Sequence, residues 1–535
     1  MLSKNKNAPL QTVREATFDF LRSVEVDTIF GNPGSTELAM LDRWPDDIHY
    51  VLGLQEASVV GMADGYARAT GKAAFVNLHS AAGLGHSLGN VYTAFRNRAP
   101  MVIITGQQSR ELLPNYPFLG ASNAVDFPKP YVKYSVEPAR PEDVPDAIAQ
   151  AYRIAMQRPW GPTFVSVPAD DWAHMCTPVI PRLVSTDCAP DPEILKNAAR
   201  TIKDAKQPAF VVGTEVDEEG VGEEMVRLAE RIGAPVYAAP FAARIAFPEN
   251  HPLFAGFLPA APEKVAQALI QFDVVVAVGA PVFTYHVPGK SILAESDLSI
   301  FHLTVDLATA ASAPLGTSIV GSLRFSVPQL ASQLPQADHS CPTLRAPARE
   351  PARASEITPA ILLWEMGQRL SPKTVLVEEA PSLRPLMQEY VQLTEWGSFF
   401  TMASGGLGYG LPAAVGHGLG KPDRKTVCLI GDGSFMYSPQ ALWTAVQQDL
   451  DLTVIVVNNG GYGAMRSFSK VLQVRNVPGI EIDGLEFPSL AQGMGCRARR
   501  VTEVEKLAAA LDEALCTKGP FLLEVEIGSE VQLLY

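Results

Sequence analysis

The chain has 535 residues, and at roughly 100–200 residues per domain it is expected to form three or four domains, which excludes a small binding module. Apolar types make up 47% and charged types 19%, which excludes the apolar-poor, charge-rich composition of a disordered chain. Lys and Arg number 43 against 57 Asp and Glu, a formal charge of −14, so a nucleic-acid backbone would be repelled and is excluded as a partner.

Residues 1–21 carry some positive charge but no apolar run before a small-residue cleavage site, so no secretory signal is expected. No stretch reaches about 18 uninterrupted apolar residues, so no membrane span is expected either. The six cysteines (Cys176, Cys188, Cys341, Cys428, Cys496 and Cys516) are scattered and form no metal-type pair, which predicts free thiols in a reducing, cytoplasmic setting.

Along the chain, short apolar, β-branched runs at 73–78, 101–106, 163–168, 209–214, 273–279, 426–431, 452–458 and 521–526 alternate with longer amphipathic segments. Continuous apolar strands separated by helices predict parallel sheets covered on both faces. Two Pro- and Ala-rich stretches, 171–193 and 333–356, lack a sustained period and read as linkers. The expected fold class is therefore α/β, with three doubly wound parallel-sheet domains.

The densest chemistry lies at 431–463. A strand at 426–430 ends at Gly431-Asp432-Gly433, Ser438 and Pro439 can open a helix running to about 449, and a strand at 452–457 ends at Asn458-Asn459. In a right-handed βαβ unit both carboxyl ends reach one edge of the sheet, so Asp432 and Asn459 can meet there. A carboxylate, an amide carbonyl and a backbone carbonyl, as from Gly461, are oxygen donors of the kind Mg²⁺ accepts while it also holds phosphate oxygens. The glycines allow close approach to a diphosphate, and Mg²⁺ supplies the local positive charge that an acidic chain lacks.

GDG and NN at this spacing resemble the thiamine-diphosphate motif. The resemblance widens with FGNPGSTE (30–37), LQEASVVGMADGYARATG (54–71), NLHSAAGLGHSLG (77–89), GAPVFTYH (279–286), ASGGLGYGLPAAVG (403–416) and NNGGYGAMRSF (458–468). In order and over nearly the whole chain, these are similar to the thiamine-diphosphate-dependent 2-oxo acid decarboxylases, benzoylformate decarboxylase and its relatives.

That likeness implies a non-oxidative decarboxylase of an aryl 2-oxo acid using thiamine diphosphate and Mg²⁺. It implies a pyrimidine-binding domain at 1–170, a central domain at 190–335 and a diphosphate domain at 357–535, with a homodimer as the minimum active unit and a homotetramer as the usual state. Asp432, Asn459 and the Gly461 carbonyl would hold the metal, with Gly433, Ser434, Tyr462 and Ser382 near the phosphates. Glu56 would bond the aminopyrimidine ring, Leu407 would be the apolar wedge under the cofactor, and the Gly405 carbonyl would accept from its amino group. Ser35 would bind the substrate carboxylate, and His79 and His286 would transfer protons. Met465 and Phe468 would line the substrate pocket.

Other features read more plainly. Glu56 without its surroundings would be a helix-start acid favoured by the macrodipole. His49, His86, His174, His251, His302, His339 and His417 read as solvated or capped residues. Gly83, Gly85 and Gly89 miss a dinucleotide fingerprint and read as close helix packing, and Gly420-Lys421 lacks the rest of a P-loop.

The chain departs from the family pattern at the pocket. Thr401 stands where an aromatic residue is usual, Met465 replaces a leucine, and Phe118-Leu119 occupies the place of two leucines. EEAPSL (378–383) replaces a Thr-rich stretch, leaving Ser382 as its hydroxyl. An acetolactate-synthase-like carboligase and a non-catalytic scaffold are the competing expectations, and the second has no use for Glu56, His79, His286, Asp432 and Asn459 together.

Overall fold

The structure, a computed structural model, describes residues 9–336, 343–528 and 534; Cys341 and His339 lie outside the described residues. The apolar runs form buried strands, among them Ala74–Leu78, Met101–Gln107, Pro162–Pro168, Val274–Val278 and Leu452–Asn458. They assemble into three six-stranded sheets whose neighbouring strands all run parallel. The expected fold class is the observed one.

The N-terminal sheet has the spatial order His49–Leu52, Thr28–Asn32, Ala74–Leu78, Met101–Gln107, Pro162–Pro168, Ser135–Val136. The C-terminal sheet repeats that pattern with Phe399–Thr401, Val375–Glu379, Thr426–Gly431, Leu452–Asn458, Phe521–Glu526, Arg497–Val501. In both, the strand order reverses beside the first strand, and the crevice at such a reversal is where open α/β sheets bind ligands. The central sheet, Phe254–Phe257, Val236–Ala238, Pro208–Val212, Val274–Val278, Ser299–Thr304, Thr317–Val320, is wound outward from its own first strand.

The central crevice is filled by protein. Arg98, from the N-terminal unit, enters it and pairs with Glu215 at 2.6 Å and Asp306 at 2.9 Å. Glu215 also accepts from Thr304 Oγ1 at 2.9 Å and from the Val305 N–H at 3.1 Å. The outer units touch each other through helices Glu56–Thr70 and Gly410–Gly420. A Cβ on Gly65 would lie 2.1 Å from the Ala413 carbonyl oxygen, so only glycine permits this backbone contact. Arg68 ties all three units together, donating to the Thr401 carbonyl at 2.9 Å, the Ala243 carbonyl at 2.8 Å and the Tyr409 hydroxyl.

The first expected linker is not wholly irregular: Met175–Cys176 pairs antiparallel with Gln11–Thr12, tying the end of the first unit to its start. Cys176, Cys188, Cys428, Cys496 and Cys516 form no disulfide bond among the described residues. No helix among the described residues is long and apolar enough to cross a membrane.

Three buried carboxyls give the fold a pH dependence. Desolvation pushes Asp64 up to about 6, and Glu249 and Glu379 up to about 8. In the unfolded chain each ionises near its usual value of about 4. The folded state therefore holds protons that the unfolded state has released, and the stability linked to them is lost as pH rises through about 6 and then about 8. The melting temperature is expected to fall between about pH 6 and pH 9, and Glu249→Gln should flatten the fall; a melting temperature rising over that interval contradicts the assignment.

Candidate active site

The C-terminal crevice opens between the carboxyl ends of Val375–Glu379 and Thr426–Gly431. After Gly431 the chain makes one helical turn, Asp432–Phe435, and the crossover helix spans only Ala441–Gln447, shorter than expected. The reason is local: Ala441 N–H to Ser438 O and Leu442 N–H to Pro439 O are three-residue turn bonds that precede the helix.

Asp432 is 3% exposed. Its Oδ1 accepts from the Gly433 N–H at 2.7 Å, and its Oδ2 accepts from Asn459 N–H at 3.1 Å and Gly461 N–H at 2.9 Å. The two strand ends are thus joined as the crossover geometry requires. Burial raises the Asp432 pKa, against the lowering effect of these N–H donors. Asn459 Oδ1 is buried and has no partner among the described residues, and an acceptor left dry costs about 1–3 kcal/mol unless something donates to it or binds it. Among the described residues no three His, Cys, Asp or Glu side chains cluster as metal ligands, in keeping with a set that has one carboxylate. A Cβ on Gly433 would lie 2.5 Å from the Tyr462 ring, so this glycine lets Tyr462 close over the turn. Arg466, which sequence reasoning passed over, donates to the Asn459 carbonyl at 2.9 Å and the Gly460 carbonyl at 3.0 Å and pairs with Glu481, holding the loop from behind.

A cavity of about 920 Å³ runs from these residues to the central unit. It gathers Ser382, Gly405, Leu407, Asp432, Gly433, Ser434, Asn459, Gly461, Tyr462, Met465, Phe468 and His286 in one wall system. His286 packs its ring 4.8 Å from Phe468 and 5.7 Å from Phe241. Glu379, also unforeseen, is fully enclosed and accepts from the Gly408 N–H at 2.7 Å and the Gly410 N–H, fixing the turn just after Leu407.

The other expected residues gather on the N-terminal crevice and are not among those lining this cavity. Ser35 is exposed in the turn after Thr28–Asn32, and His79 follows Ala74–Leu78 directly. Glu37, 1% exposed, accepts from His79 Nδ1 at 2.9 Å, the Gly34 N–H at 2.7 Å and the Gly106 N–H at 2.9 Å. An ionised carboxylate only accepts, so His79 carries its proton on Nδ1 and a neutral ring leaves Nε2 as the basic nitrogen. A Cβ on Gly34 would lie 2.3 Å from His79 Nδ1, so only glycine admits the ring here. Glu56 begins the helix Glu56–Thr70, which Gln55 caps by accepting from the Ser58 N–H at 3.0 Å. Its Oε2 lies 3.2 Å from His86 Nδ1. A Cβ on Gly83 would lie 3.4 Å from Glu56 Oε1 and 3.5 Å from His79 Cβ, so Gly83 brings the two side chains to one place. Phe118, 85% exposed, and Leu119 border the same crevice, with Ser80 Oγ donating to the Leu119 carbonyl at 2.7 Å.

Several expectations need correcting. Thr401 does not line the cavity: it is 1% exposed, and its Oγ1 donates to Glu378 Oε2 at 3.0 Å because the two residues lie opposite each other in the strand register. His302 and His417 are buried core residues rather than solvated ones, in a strand and a helix with apolar neighbours. His86 is exposed but bonds Glu56. Close packing does not hold at these glycines: a Cβ on Gly83 or Gly85 would meet only ordinary contacts from 3.4 Å, and one on Gly89 nothing within 4 Å.

Comparison with known proteins places the same units in one family. Three models of the thiamine pyrophosphate enzymes match: the N-terminal TPP binding domain over residues 11–126, the central domain over 195–330 and the C-terminal TPP binding domain over 383–525. The chain is 39% identical to benzoylformate decarboxylase of Pseudomonas aeruginosa over 525 residues, 96% of this chain and 99% of the relative. The crystal structure of benzoylformate decarboxylase from Polynucleobacter necessarius superposes with a TM-score of 0.95 at 39% identity, covering 98% of this chain and 100% of that one. The 4-hydroxybenzoylformate decarboxylase of Rhodococcus jostii superposes with a TM-score of 0.94 at 38% identity, again over 98% and 100%.

Proposed function

Since this chain belongs to the thiamine pyrophosphate enzyme family, we propose that it is a carboxy-lyase that releases carbon dioxide from an aryl 2-oxo acid and leaves the aldehyde. The observation that carries the reading is the pairing of Asp432 with the Asn459–Gly461 loop at a strand-order reversal, in a cavity that also receives His286 from the central unit. The residues fit the cofactor and its metal. Asp432, the unpartnered Asn459 Oδ1 and the Gly461 carbonyl suit Mg²⁺. Ser382, Gly433, Ser434 and Tyr462 suit the phosphates, and Gly405 and Leu407 the body of the cofactor. When bound, thiamine diphosphate supplies the electron sink that the former keto carbon needs once carbon dioxide leaves.

The chain's own groups do the rest. Glu56, at a helix N-terminus and close to His79, would hydrogen-bond a ring nitrogen of the cofactor and hold the proton there. Ser35 donates its hydroxyl to the substrate carboxylate. His79, oriented by Glu37, takes and returns a proton at Nε2, and His286, standing against Phe468, serves the other proton transfer. Met465 and Phe468 exclude water from the aryl group, and Phe118 and Leu119 close the pocket from the other side.

Ser35, Glu56, His79, Phe118 and Leu119 belong to one crevice, and Asp432, Asn459 and His286 line another. We therefore take a second copy of the chain to bring its N-terminal crevice to the cavity of the first. A homodimer is the minimum unit, as a tetramer in the cytoplasm. The units 1–170 and 357–535 then clamp the two ends of the cofactor, and 190–335 contributes His286. Exposed apolar residues beside Glu56 and His79, Leu54 at 49% and Phe118 at 85%, support the contact. The reading is tested by carbon dioxide release from benzoylformate with thiamine diphosphate and Mg²⁺ added; no release with both present overturns it.

A further inference from the structure

Among the described residues lining the cavity, Asp432 is the one carboxylate, while Lys264 and Arg384 are fixed cations. Arg384 follows the turn Pro381–Leu383 and opens the helix Arg384–Tyr390. Its Nη2 donates to Glu378 Oε2 and, at 2.7 Å, to Thr401 Oγ1, and its guanidinium lies 5.5 Å from the centre of the Phe399 ring. Glu378 is 1% exposed. The cation is thus held from one side by a buried acid, a hydroxyl and a ring, a rigid mount for a long side chain.

The other side of the guanidinium is less satisfied. Its Nη1 donates to no described residue, and the side chain keeps 19% exposure while bordering the cavity. Gln388, one turn along the helix, and Phe257, Leu258 and exposed Lys264 of the central unit also line the cavity. A guanidinium carries five N–H donors and is never neutral, so the cavity beside it favours a ligand that brings an acceptor. Thr401 serves the pocket here indirectly, by fixing Arg384.

Resting on the decarboxylase reading, we propose that Arg384 is a specificity-determining residue that receives an anionic, carboxylate-type substituent on the aryl ring, remote from the 2-oxo acid group. The substrate class is then a ring bearing two acidic functions, one lost as carbon dioxide and one retained and bound. Charge-assisted pairing of a planar guanidinium with a carboxylate gives both affinity and direction, and a site built for such a group discriminates strongly against an analogue that lacks it.

The test uses holoenzyme and three acids, benzoylformate, 4-methylbenzoylformate and 4-carboxybenzoylformate, with kcat and KM measured for wild type, Arg384→Lys, Arg384→Met and the double variant Glu378→Gln/Arg384→Met. The double variant removes the buried acid that Arg384→Met alone would orphan. Wild type is expected to favour the 4-carboxy over the 4-methyl acid by about tenfold or more in kcat/KM, mainly through KM, and Arg384→Lys to keep part of that preference. The ratio should collapse to about one in the double variant. Because the quantity is a ratio between acids, a general loss of fold or turnover cancels. Turnover of benzoylformate with the same ratio in all four proteins overturns the inference alone. Loss in the double variant of the melting shift given by thiamine diphosphate and Mg²⁺ also overturns it, since Arg384 would then serve the phosphates. Release from none of the acids overturns the decarboxylase reading and the inference with it.

Discussion

Glu56→Gln is expected to lower carbon dioxide release from benzoylformate by about 10²–10⁴-fold, the range of a positioned proton-transfer group, with the melting temperature of the apoprotein nearly unchanged. The substitution keeps size and hydrogen-bonding reach and removes only the ability to ionise. Glu56 is the first residue of its helix, and the cap belongs to Gln55, so the fold does not depend on its charge. A purely structural helix-start acid would give the opposite pattern, a small loss of stability from the macrodipole and wild-type turnover. Wild-type turnover in Glu56→Gln would therefore remove it from the site.

Asp432→Ala is expected to abolish measurable turnover at limiting Mg²⁺, by at least about 100-fold, since removing even a supporting group of a metal site costs about 10–100-fold. Asp432 does two things at once. It gathers the N–H groups of Gly433, Asn459 and Gly461, and it supplies the one carboxylate among the described residues of the cavity wall. Its loss has a readout that does not need catalysis. A ligand that binds only the folded protein, at about 100 times its Kd, stabilises it by about 2.7 kcal/mol, so thiamine diphosphate with Mg²⁺ should raise the melting temperature of wild type and not that of the variant. An equal shift in both contradicts the assignment of Asp432.

The chemistry at 431–463 was legible because it depends on short-range rules. Strand ends, a crossover length and glycines at turns bring Asp432 to Asn459 without reference to the rest of the molecule. Glu56 and His79 were legible only through the resemblance, since a helix-start acid and a residue after a strand have bland readings of their own. What escaped depends on partners far away in sequence. Arg68, Arg98 and Arg384 act through residues of other units or other strands, and no periodicity marks them. Thr401 was misplaced because its side chain follows the register with Glu378, a pairing that a three-residue edge strand does not announce. His302 and His417 could have been read as buried, for their neighbours in IFHLT and AAVGHGLG are apolar. Phe118 and Leu119 sit in a segment with little regular structure between Gln107 and Ser135, where no period places side chains.

In the proposed dimer, each site joins the N-terminal crevice of one chain to the C-terminal cavity of another. Mixing Glu56→Gln and Asp432→Ala, each inactive alone, under conditions that let subunits exchange tests it most directly. In a mixed dimer one of the two sites receives both intact residues. With random reassociation half the dimers are mixed, so about one quarter of wild-type carbon dioxide release should return. If each site were built within a single chain, every site in the mixture would carry one of the two lesions, and exchange proven by native mass spectrometry with no recovered activity would contradict the account.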